Sequence, residues 1–468
     1  MDISLSFMGA SKNVTGSRYL IEANNISFLV DCGLFQERDF QSRNWEPFRV
    51  APDKLEAVLL THAHLDHCGL LPKLVNEGFR GKVICTPATA EIVKIILLDS
   101  AKIQEEDAAY KKKRHMREGR KGPYPEIPLY TVADAEATFP LFAPVEYNTP
   151  VSLGHDIEAT FHDAGHVLGS SMIRVVIKQG QEKRSIIFSG DIGRWDRPIL
   201  HDPSVFSKTD YIVVESTYGD REHEGTEDIS DNLADIVNAA FQAGGKILIP
   251  SFALQRTQEV LYYLNELQLK NRIPRLDVYL DSPMAAKITA VYQHYFSLFD
   301  VETKGLLSAN HSPFDFPGLK IVETADESKA LNDIKSTMMI IAGSGMCTGG
   351  RIKHHLANNI SRPECTVVFV GYQAAGTLGR YIVEGARSVR IHGQQYAVRA
   401  RIEQIGGFSA HADQNDLLRW ISALSVKPRH VFVTHGEEDS ANKFRDFLVD
   451  KTGFEASVPA CNSTARLE

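Results

Sequence analysis

The sequence His62-Ala63-His64-Leu65-Asp66-His67 places four potential metal ligands within six residues. The apolar run Ala57–Thr61 before it predicts a buried strand, and Cys68–Leu74 after it can begin a helix. On a helix the first two histidines would point about 200° apart, whereas a loop can bring all four side chains to one point. We therefore predict a metal-binding loop between a strand and a helix. A polar surface loop with chance histidines is the alternative, but it does not explain this density of ligands.

Imidazole and carboxylate ligands suit zinc, and they do not exclude manganese or iron. Two metal ions about 3.5–4 Å apart would use all four side chains. Three further candidates each follow a predicted strand and stand beside a small residue: His166, Asp191 and His435. Each of these alone is more readily explained as a polar loop residue. Together with the first stretch they complete two groups of ligands.

The overall composition indicates a globular protein of 468 residues with 43 % hydrophobic and 24 % charged residues. No run of 18 apolar residues occurs, which predicts that the chain does not cross a membrane. The six cysteines are scattered without paired spacing, which favours a cytoplasmic location and excludes a cysteine zinc finger. The net charge of −8 means that binding to a polyanion must depend on local basic patches. One candidate patch is Lys111–Lys121, which equally fits a solvated helix face.

The pattern of predicted elements changes twice along the chain. Residues 1 to about 215 alternate short strands with turns, apart from a long charged helix predicted at 89–120. From about 220 to 390, strands alternate with helices, which is typical of a parallel α/β sheet. Strand, helix and strand resume at 397–468. Because the metal-ligand candidates lie on both sides of the α/β segment, we predict that this segment is inserted into another domain.

The order of these candidates resembles the metallo-β-lactamase fold, and three later motifs resemble those of its β-CASP branch. The first set is Asp31, His62-x-His64-x-Asp66-His67, His166 and Asp191; the second is Glu215, His411 and His435. That branch includes the RNA-cleaving subunit of the eukaryotic cleavage and polyadenylation machinery. The resemblance implies an αββα sandwich formed by residues 1–219 and 393–468, with a parallel-sheet β-CASP domain inserted at 220–392.

The resemblance also implies a role for each residue. One zinc would be held by His62, His64 and His166, and the other by Asp66, His67 and His435, with Asp191 bridging the two. Asp31 would orient the site without touching metal. A hydroxide bridging the metals would attack the phosphodiester, and His411, held by Glu215, would be the general acid. The predicted catalytic residues are Asp66, His411 and Glu215.

Three strand-to-helix turns of the α/β segment are candidates for phosphate binding, because such turns present backbone N–H groups to anions. The predicted contacts are Ser344, Gly345, Arg351, Gly376, Thr377 and Arg256. Tight packing is the alternative explanation of each glycine-rich turn. No Rossmann or Walker motif occurs.

We therefore predict a zinc-dependent ribonuclease that cuts single-stranded RNA, as an endonuclease, a 5′→3′ exonuclease or both. The histidine at position 435 favours RNA, since relatives of the DNA-repair type have an apolar residue there. A small-ester or thioester hydrolase on the same two-metal site is the alternative function, and an inactive RNA-binding subunit is a third. The resemblance also implies a homodimer.

Overall fold

The computed structural model describes residues 1–119, 125–223, 229–308 and 312–468. The chain divides into two compact units. The first comprises Met1–Asp196, His201–Glu222 and His411–Glu468, and the second comprises Arg197–Leu200 and His223–Ala410. The second unit thus interrupts the sequence of the first, which confirms the predicted insertion. The domain limits at 219/220 and 392/393 stay a prediction.

The elements of the first unit are, in chain order, β1 (Ile3–Gly9), β2 (Arg18–Ala23), β3 (Ile26–Val30), β4 (Leu55–Leu59), α1 (Leu65–Cys68), α2 (Leu71–Asn76), β5 (Lys82–Cys85), α3 (Pro87–Glu118), α4 (Val132–Thr138), β6 (Phe142–Pro144), β7 (Val151–Gly154), β8 (Ile157–Asp163), β9 (Ser171–Gln179), β10 (Glu182–Phe188) and β11 (Tyr211–Val214). The second unit contains α5 (Ile229–Ala243), β12 (Ile247–Pro250), α6 (Arg256–Leu269), β13 (Asp277–Leu280), α7 (Pro283–His294), α8 (Val301–Ser308), β14 (Leu319–Ile321), α9 (Ala325–Ala330), β15 (Met338–Ala342), α10 (Gly350–Asn359), β16 (Thr366–Phe369), α11 (Leu378–Val383), β17 (Ser388–Ile391), β18 (Gln394–Ala397) and β19 (Arg401–Gln404). The first unit then resumes with α12 (Gln414–Ser422), β20 (His430–Val433), α13 (Glu438–Thr452), β21 (Ala456–Ser457) and β22 (Thr464–Arg466).

The first unit is a sandwich of two seven-stranded sheets. Their strand orders are β22-β1-β2-β3-β4-β5-β6 and β21-β20-β11-β10-β9-β8-β7. Alternating apolar residues of both sheets form one buried cluster between them. Within it, the rings of Phe7 and Phe432 lie 5.1 Å apart and those of Tyr19 and Phe188 lie 5.8 Å apart, so aromatic pairs join the sheets.

Helices cover the outer faces of this sandwich and complete the αββα architecture. The second sheet packs Ile212 and Val433 against Leu417 of α12 and Phe444 of α13. Helices α2 and α3 also bury apolar side chains, and those of α3 lie between Ala88 and Ala108, before the basic run that begins at Lys111. The predicted fold class is therefore confirmed.

The second unit contains a six-stranded sheet in the order β14-β13-β15-β12-β16-β19. Every neighbouring pair in it is parallel. Helices α10 and α11 bury Ile352, Leu356 and Ile382 in the same apolar cluster as Ile340 and Val367 of the sheet. Because all strands run the same way, the turns that follow them share one edge of the sheet.

Local predictions agree with the structure in most places. The predicted Asn24-Asn25 turn joins β2 to β3, and both residues have positive φ angles, as a tight hairpin requires. The long helix predicted at 89–120 is α3, which ends at Glu118. The basic side chains of Lys111–Lys113 are exposed, Arg114 pairs with Glu118, and the end of the predicted basic patch at 120–121 lies outside the described residues. In the described part of the chain, no helix is both long and apolar enough to span a membrane.

Candidate metal centre and catalytic site

The candidate ligands of the first unit meet at one edge of the sandwich because they follow strands that run in the same direction. In the first sheet β3, β4 and β5 are parallel, and in the second sheet β10, β11 and β20 are parallel. The turns after these strands carry Asp31, His62, Asp191, Glu215 and His435. Small residues allow the close approach that this convergence requires. A Cβ added at Gly190, next to Asp191, would lie 2.9 Å from Cβ of Thr61.

The stretch at 62–67 is only partly a loop. His62 and His64 lie in the turn after β4, as predicted, but Asp66 and His67 lie in the single helical turn of α1, where a loop was expected. The helical turn forms because the carbonyl of His64 accepts from the amides of both His67 and Cys68. Asp66 and His67 still reach the site together, because they are consecutive residues whose side chains point only about 100° apart around a helix.

The first group of candidate ligands contains three histidines and one aspartate. His64 Nδ1 lies 3.1 Å from His62 Nε2 and 3.3 Å from His166 Nε2. Oδ2 of Asp191 lies 3.3 Å from His62 Nε2 and 3.5 Å from His166 Nε2. The four side chains therefore present one ligand atom each to a common point.

The second group contains Asp66, His67 and His435. His435 Nε2 lies 3.0 Å from His67 Nε2 and 3.4 Å from Oδ2 of Asp66. The other oxygen of Asp191, Oδ1, lies 3.3 Å from His67 Nε2. Asp191 thus offers one carboxylate oxygen to each group.

These residues fit divalent metal ions. Ligands about 2.0–2.1 Å from a tetrahedral ion are separated by roughly 3.3 Å, close to the separations found here. Oδ1 of Asp191 is fully buried and has no hydrogen-bond partner among the described residues, which is costly unless a cation is nearby. Burial lowers the pKa of His62 to about 3 and that of His64 to about 4, so both rings are neutral near pH 7, as metal ligands must be.

Hydrogen bonds behind three of the histidines orient their rings. His67 Nδ1 donates to Oδ2 of Asp31 at 2.7 Å, which directs Nε2 towards the site. Burial opposes the charged form of His67, but the carboxylates of Asp191 and Asp31 outweigh it and raise the pKa of this imidazole well above its usual value, so a cation bound at Nε2 would displace a proton. His62 Nδ1 lies 3.0 Å from Oγ1 of Thr61, whose hydroxyl in turn donates to Asp31. His435 Nδ1 lies 3.1 Å from Oγ1 of Thr217.

The contributions of Thr61 and Thr217 were missed at the level of sequence. Both stand directly beside motif residues, Thr61 before His62 and Thr217 two residues after Glu215. Their proximity to ligands was therefore visible, but a hydroxyl next to a ligand has no periodicity or spacing that identifies its partner. The structure supplies that partner in each case.

We expect Thr61→Val to weaken metal binding about 10–100-fold, because valine keeps the shape of threonine but cannot accept from His62 or donate to Asp31. Thr61→Ser keeps the hydroxyl and is the matched control, for which near-native affinity is expected. Competition with a fluorescent chelator measures both affinities. Equal affinities of the valine and serine variants would contradict this role of the hydroxyl.

His411 and Glu215 form a hydrogen-bonded pair beside the first group. His411 Nδ1 lies 3.0 Å from Oε2 of Glu215, and the His411 ring lies 4.5 Å from the His166 ring. Glu215 is buried and also accepts from the amide of Ile192 and the hydroxyl of Thr217. Burial opposes the charged form of His411, but the carboxylates of Glu215 and Asp191 outweigh it and raise the pKa of His411 to about 9. The imidazole therefore holds a proton near pH 7.

Asp163, at the end of β8, is a carboxylate near this edge that belongs to neither group. Burial raises its pKa to about 7, partly offset by the amide of Gly165, which donates to Oδ1 at 2.9 Å. The folded chain therefore keeps this proton at pH values where the unfolded chain, with its pKa near 3.8, has lost it. The resulting stabilisation is complete below pH about 4 and disappears as the pH rises to about 7.

The substitution Asp163→Asn should therefore stabilise the protein at pH 8 by about 3 kcal/mol relative to its effect at pH 4.5, because asparagine cannot ionise. Denaturant unfolding of both proteins, each with its metal, gives the difference at each pH and cancels the titration of all other groups. A difference that does not change between these pH values would contradict the prediction.

In the second unit, three turns meet at the carboxyl edge of the parallel sheet. They follow the adjacent strands β15, β12 and β16 and comprise 343–349, 251–255 and 371–377. Nε2 of Gln373 donates to the carbonyls of Gly345 and Gly371, which joins two of the turns. The prediction that these turns share one edge is confirmed by the sheet order.

Of the four predicted phosphate contacts in these turns, two are hydroxyl side chains that already accept hydrogen bonds and two are glycines. Oγ of Ser344 accepts from the amides of Thr348 and Gly349, and Oγ1 of Thr377 accepts from the amide of Arg380, so both hydroxyls stabilise their own turns. Gly376 has a φ of +79° and open space where a Cβ would be. Gly345 packs against the ring of Phe252.

The two predicted arginines are paired within the second unit. Arg351 donates to Asp281 at 2.6 Å and to the carbonyls of Val322 and Glu323. Arg256 donates to the buried Glu259 at 2.7 Å. Arg351 therefore joins α10 to the segments that follow β13 and β14, whereas Arg256 is paired within α6. Phosphate binding by either arginine stays a prediction.

Three family models match the chain, in the order expected for an inserted domain. The Metallo-beta-lactamase superfamily model matches residues 14–212, the Beta-Casp domain matches 257–382, and the Zn-dependent metallo-hydrolase RNA specificity domain matches 395–459. The chain is thus a metallo-hydrolase of the metallo-β-lactamase superfamily. Within that superfamily it belongs to the β-CASP ribonuclease family, as the relatives described next show.

Ribonuclease TTHA0252 of Thermus thermophilus is 40 % identical to this chain over 431 residues, covering 92 % of each protein. Transcription termination factor FttA of Methanocaldococcus jannaschii is 30 % identical, covering 95 % of this chain and 68 % of its own. A crystal structure of a protein of unknown function from Enterococcus faecalis V583 has a TM-score of 0.56 at 13 % identity, with both chains fully covered, and supports the fold alone. The chain is accordingly a metal-dependent hydrolase that acts on RNA. The small-ester and thioester alternative is not favoured.

Proposed function

We propose that this protein cuts single-stranded RNA at a centre of two zinc ions. The observation that carries the proposal is the position of Asp191, which offers one oxygen to each of two ligand groups. The first ion would be held by His62, His64 and His166, and the second by Asp66, His67 and His435. Manganese or iron fits the same ligands.

Cations held by these groups would supply Lewis acidity, since they lower the pKa of a coordinated water and neutralise charge on an attacked phosphodiester. The side chains behind the ligands contribute orientation. Asp31 and Thr61 fix the rings of His67 and His62, and Thr217 fixes that of His435. These contacts direct the ligand atoms of the three histidines towards the site.

His411 is the proposed general acid. Attack of water on phosphorus breaks the bond to the 3′ oxygen, and that oxygen must gain a proton to leave as a hydroxyl. The hydrogen bond from Nδ1 to Glu215 leaves Nε2 of His411 to carry the donated proton. The products are then a 5′-phosphate and a 3′-hydroxyl.

Recognition of RNA is proposed to involve the turns at the carboxyl edge of the second unit. Ligands of parallel α/β sheets bind beyond the ends of the strands, where backbone amides and open glycines admit a phosphate. Gly345 and Gly376 are the proposed points of closest approach, with Ser344 and Thr377 shaping the turns. Arg351 and Arg256 are proposed as further phosphate contacts, Arg351 held by Asp281 and Arg256 held by Glu259 of the same helix.

The test is a gel assay with a 5′-labelled single-stranded RNA and a DNA of the same sequence. We expect the metal-loaded protein to cut the RNA, chelation to abolish cutting, and added zinc or manganese to restore it. Internal fragments indicate endonuclease activity, whereas a released mononucleotide indicates a 5′→3′ exonuclease. Failure of folded, metal-loaded protein to cut any RNA, together with hydrolysis of a thioester, would overturn the proposal.

A cytoplasmic location and a homodimer are two further proposals. A cytoplasmic location is supported by the cysteines, all six of which are free thiols. A homodimer is implied by the family resemblance alone. The molar mass from multi-angle light scattering distinguishes one copy, 52.1 kDa, from two.

A further inference from the structure

Two aromatic side chains stand exposed at the carboxyl edge of the second unit's sheet. Phe252, two residues after β12, is 41 % exposed, and Tyr372, three residues after β16, is 47 % exposed. Strands β12 and β16 are neighbours, so the two turns adjoin. Burying a large aromatic side chain contributes about 1.5–3 kcal/mol, so rings left open at a site edge indicate a surface that something else covers.

The ring of Phe252 is held in place by glycine backbone. A Cβ added at Gly345 would lie 2.7 Å from Cδ2 of Phe252, so only glycine leaves room for the ring there. Gly345 does not have a positive φ, and its backbone would accept another residue. The glycine is therefore required by the ring and not by the turn.

A second glycine leaves the ring uncovered. A Cβ added at Gly371 would lie 3.9 Å from Cε2 of Phe252, an ordinary contact that causes no clash. A side chain larger than that of alanine at position 371 would extend from this Cβ alongside the ring of Phe252. Glycine at 371 therefore keeps this side of Phe252 open.

The adjoining turns are fixed to one another. The side chain of Gln373 donates to the carbonyls of Gly345 and Gly371. The same side chain packs closely against α11, since a Cβ added at Gly379 would lie 1.8 Å from Oε1 of Gln373. A ring held by fixed turns loses little conformational freedom when a ligand stacks on it.

The three turns carry no charge that would repel a polyanion. None of the three turns contains Asp or Glu, although the whole chain has a net charge of −8. An open aromatic ring beside a turn free of negative charge suits a nucleotide, because the base stacks while the phosphate avoids repulsion.

We propose that Phe252, with Tyr372 beside it, is a stacking platform for the nucleobases of single-stranded RNA. The proposal rests on RNA as the substrate and adds the way in which unpaired bases are recognised. A duplex cannot use such a platform, because its bases are already stacked on each other. The platform therefore contributes to the preference for single strands without selecting a sequence.

The experiment compares affinities for two oligonucleotides of equal length, a single-stranded RNA and its abasic counterpart with the same phosphates. Fluorescence anisotropy is measured in a His411→Ala background, so that slow cleavage does not disturb binding. We expect Phe252→Ala and Phe252→Leu to weaken binding of the RNA about tenfold and to leave the abasic affinity unchanged. Leucine keeps the apolar contact with Gly345 and lacks the aromatic face.

Phe252→Trp should retain the wild-type affinity, and Phe296→Ala, which removes another exposed ring of the second unit, should have no effect. Equal affinities of wild type and Phe252→Leu for RNA would overturn the platform. An equal loss on abasic RNA would also overturn it, because the side chain would then act on phosphate or on the turn. If the wild-type protein binds and cuts no RNA at all, the failure lies in the proposed function.

Discussion

Asp191→Asn is expected to lower RNA cleavage by about 10³-fold or more and to reduce bound metal from the two ions proposed per chain to one or fewer. Asp191 offers Oδ2 to the first group and Oδ1 to the second. Asparagine has only one acceptor oxygen and no negative charge, so one group loses its shared ligand and both lose electrostatic attraction. Loss of metal-ion catalysis removes several kcal/mol of transition-state stabilisation. Mass spectrometry of the purified protein measures its metal content, and the labelled RNA assay measures the rate.

Asp163→Asn is the matched control for this change. Asp163 is the last residue of β8 and lies at the same edge of the second sheet, but it contributes no ligand atom to either group. The control should keep both ions and the native rate near pH 7. Two bound ions and native activity in Asp191→Asn would show that the carboxylate does not join the two groups.

His411→Ala is expected to lower RNA cleavage about 10²–10⁴-fold without changing metal content, because it removes the proton donor and none of the proposed ligands. The double variant with Glu215→Gln should be no slower than His411→Ala alone, since Glu215 acts through the histidine to which it is hydrogen-bonded. His162→Ala is the matched control. That imidazole binds Asn148 at 2.7 Å and belongs to neither ligand group.

The leaving group separates a catalytic role of His411 from a structural one. The 3′ oxygen of RNA needs a proton to leave, whereas the phenolate released from bis(p-nitrophenyl) phosphate is stable without one. We therefore expect His411→Ala to slow the phenyl ester far less than RNA. An equal loss on both substrates would indicate that the histidine supports the metal centre and does not donate a proton.

Most of the candidate ligands could be predicted because each depends on short-range information, whereas Asp31, Glu215 and His411 were predicted as site residues only from the family resemblance. Metal-ligand side chains occur at the ends of recognisable strands, and strand period and apolar content are local properties of the sequence. Parallel strands then bring their ends to one edge, which is why Asp31, His62 and Asp191 meet although they are far apart in the chain. The inserted α/β unit could be predicted for the same reason, because predicted strands alternate with helices between about 220 and 390.

The sequence by itself determined the class of protein, the set of candidate ligands and the order of the two units. Only the tertiary structure decided which hydroxyl orients which imidazole, that Arg351 and Arg256 are paired with acids, and that the ring of Phe252 lies against Gly345. Thr61 and His62 are neighbours in sequence and Arg256 lies three residues from Glu259, whereas the other contacts join residues of different elements. Each contact depends on atomic distances that no local pattern encodes. A residue type and its spacing state what a side chain can bind, whereas packing decides which partner reaches it first.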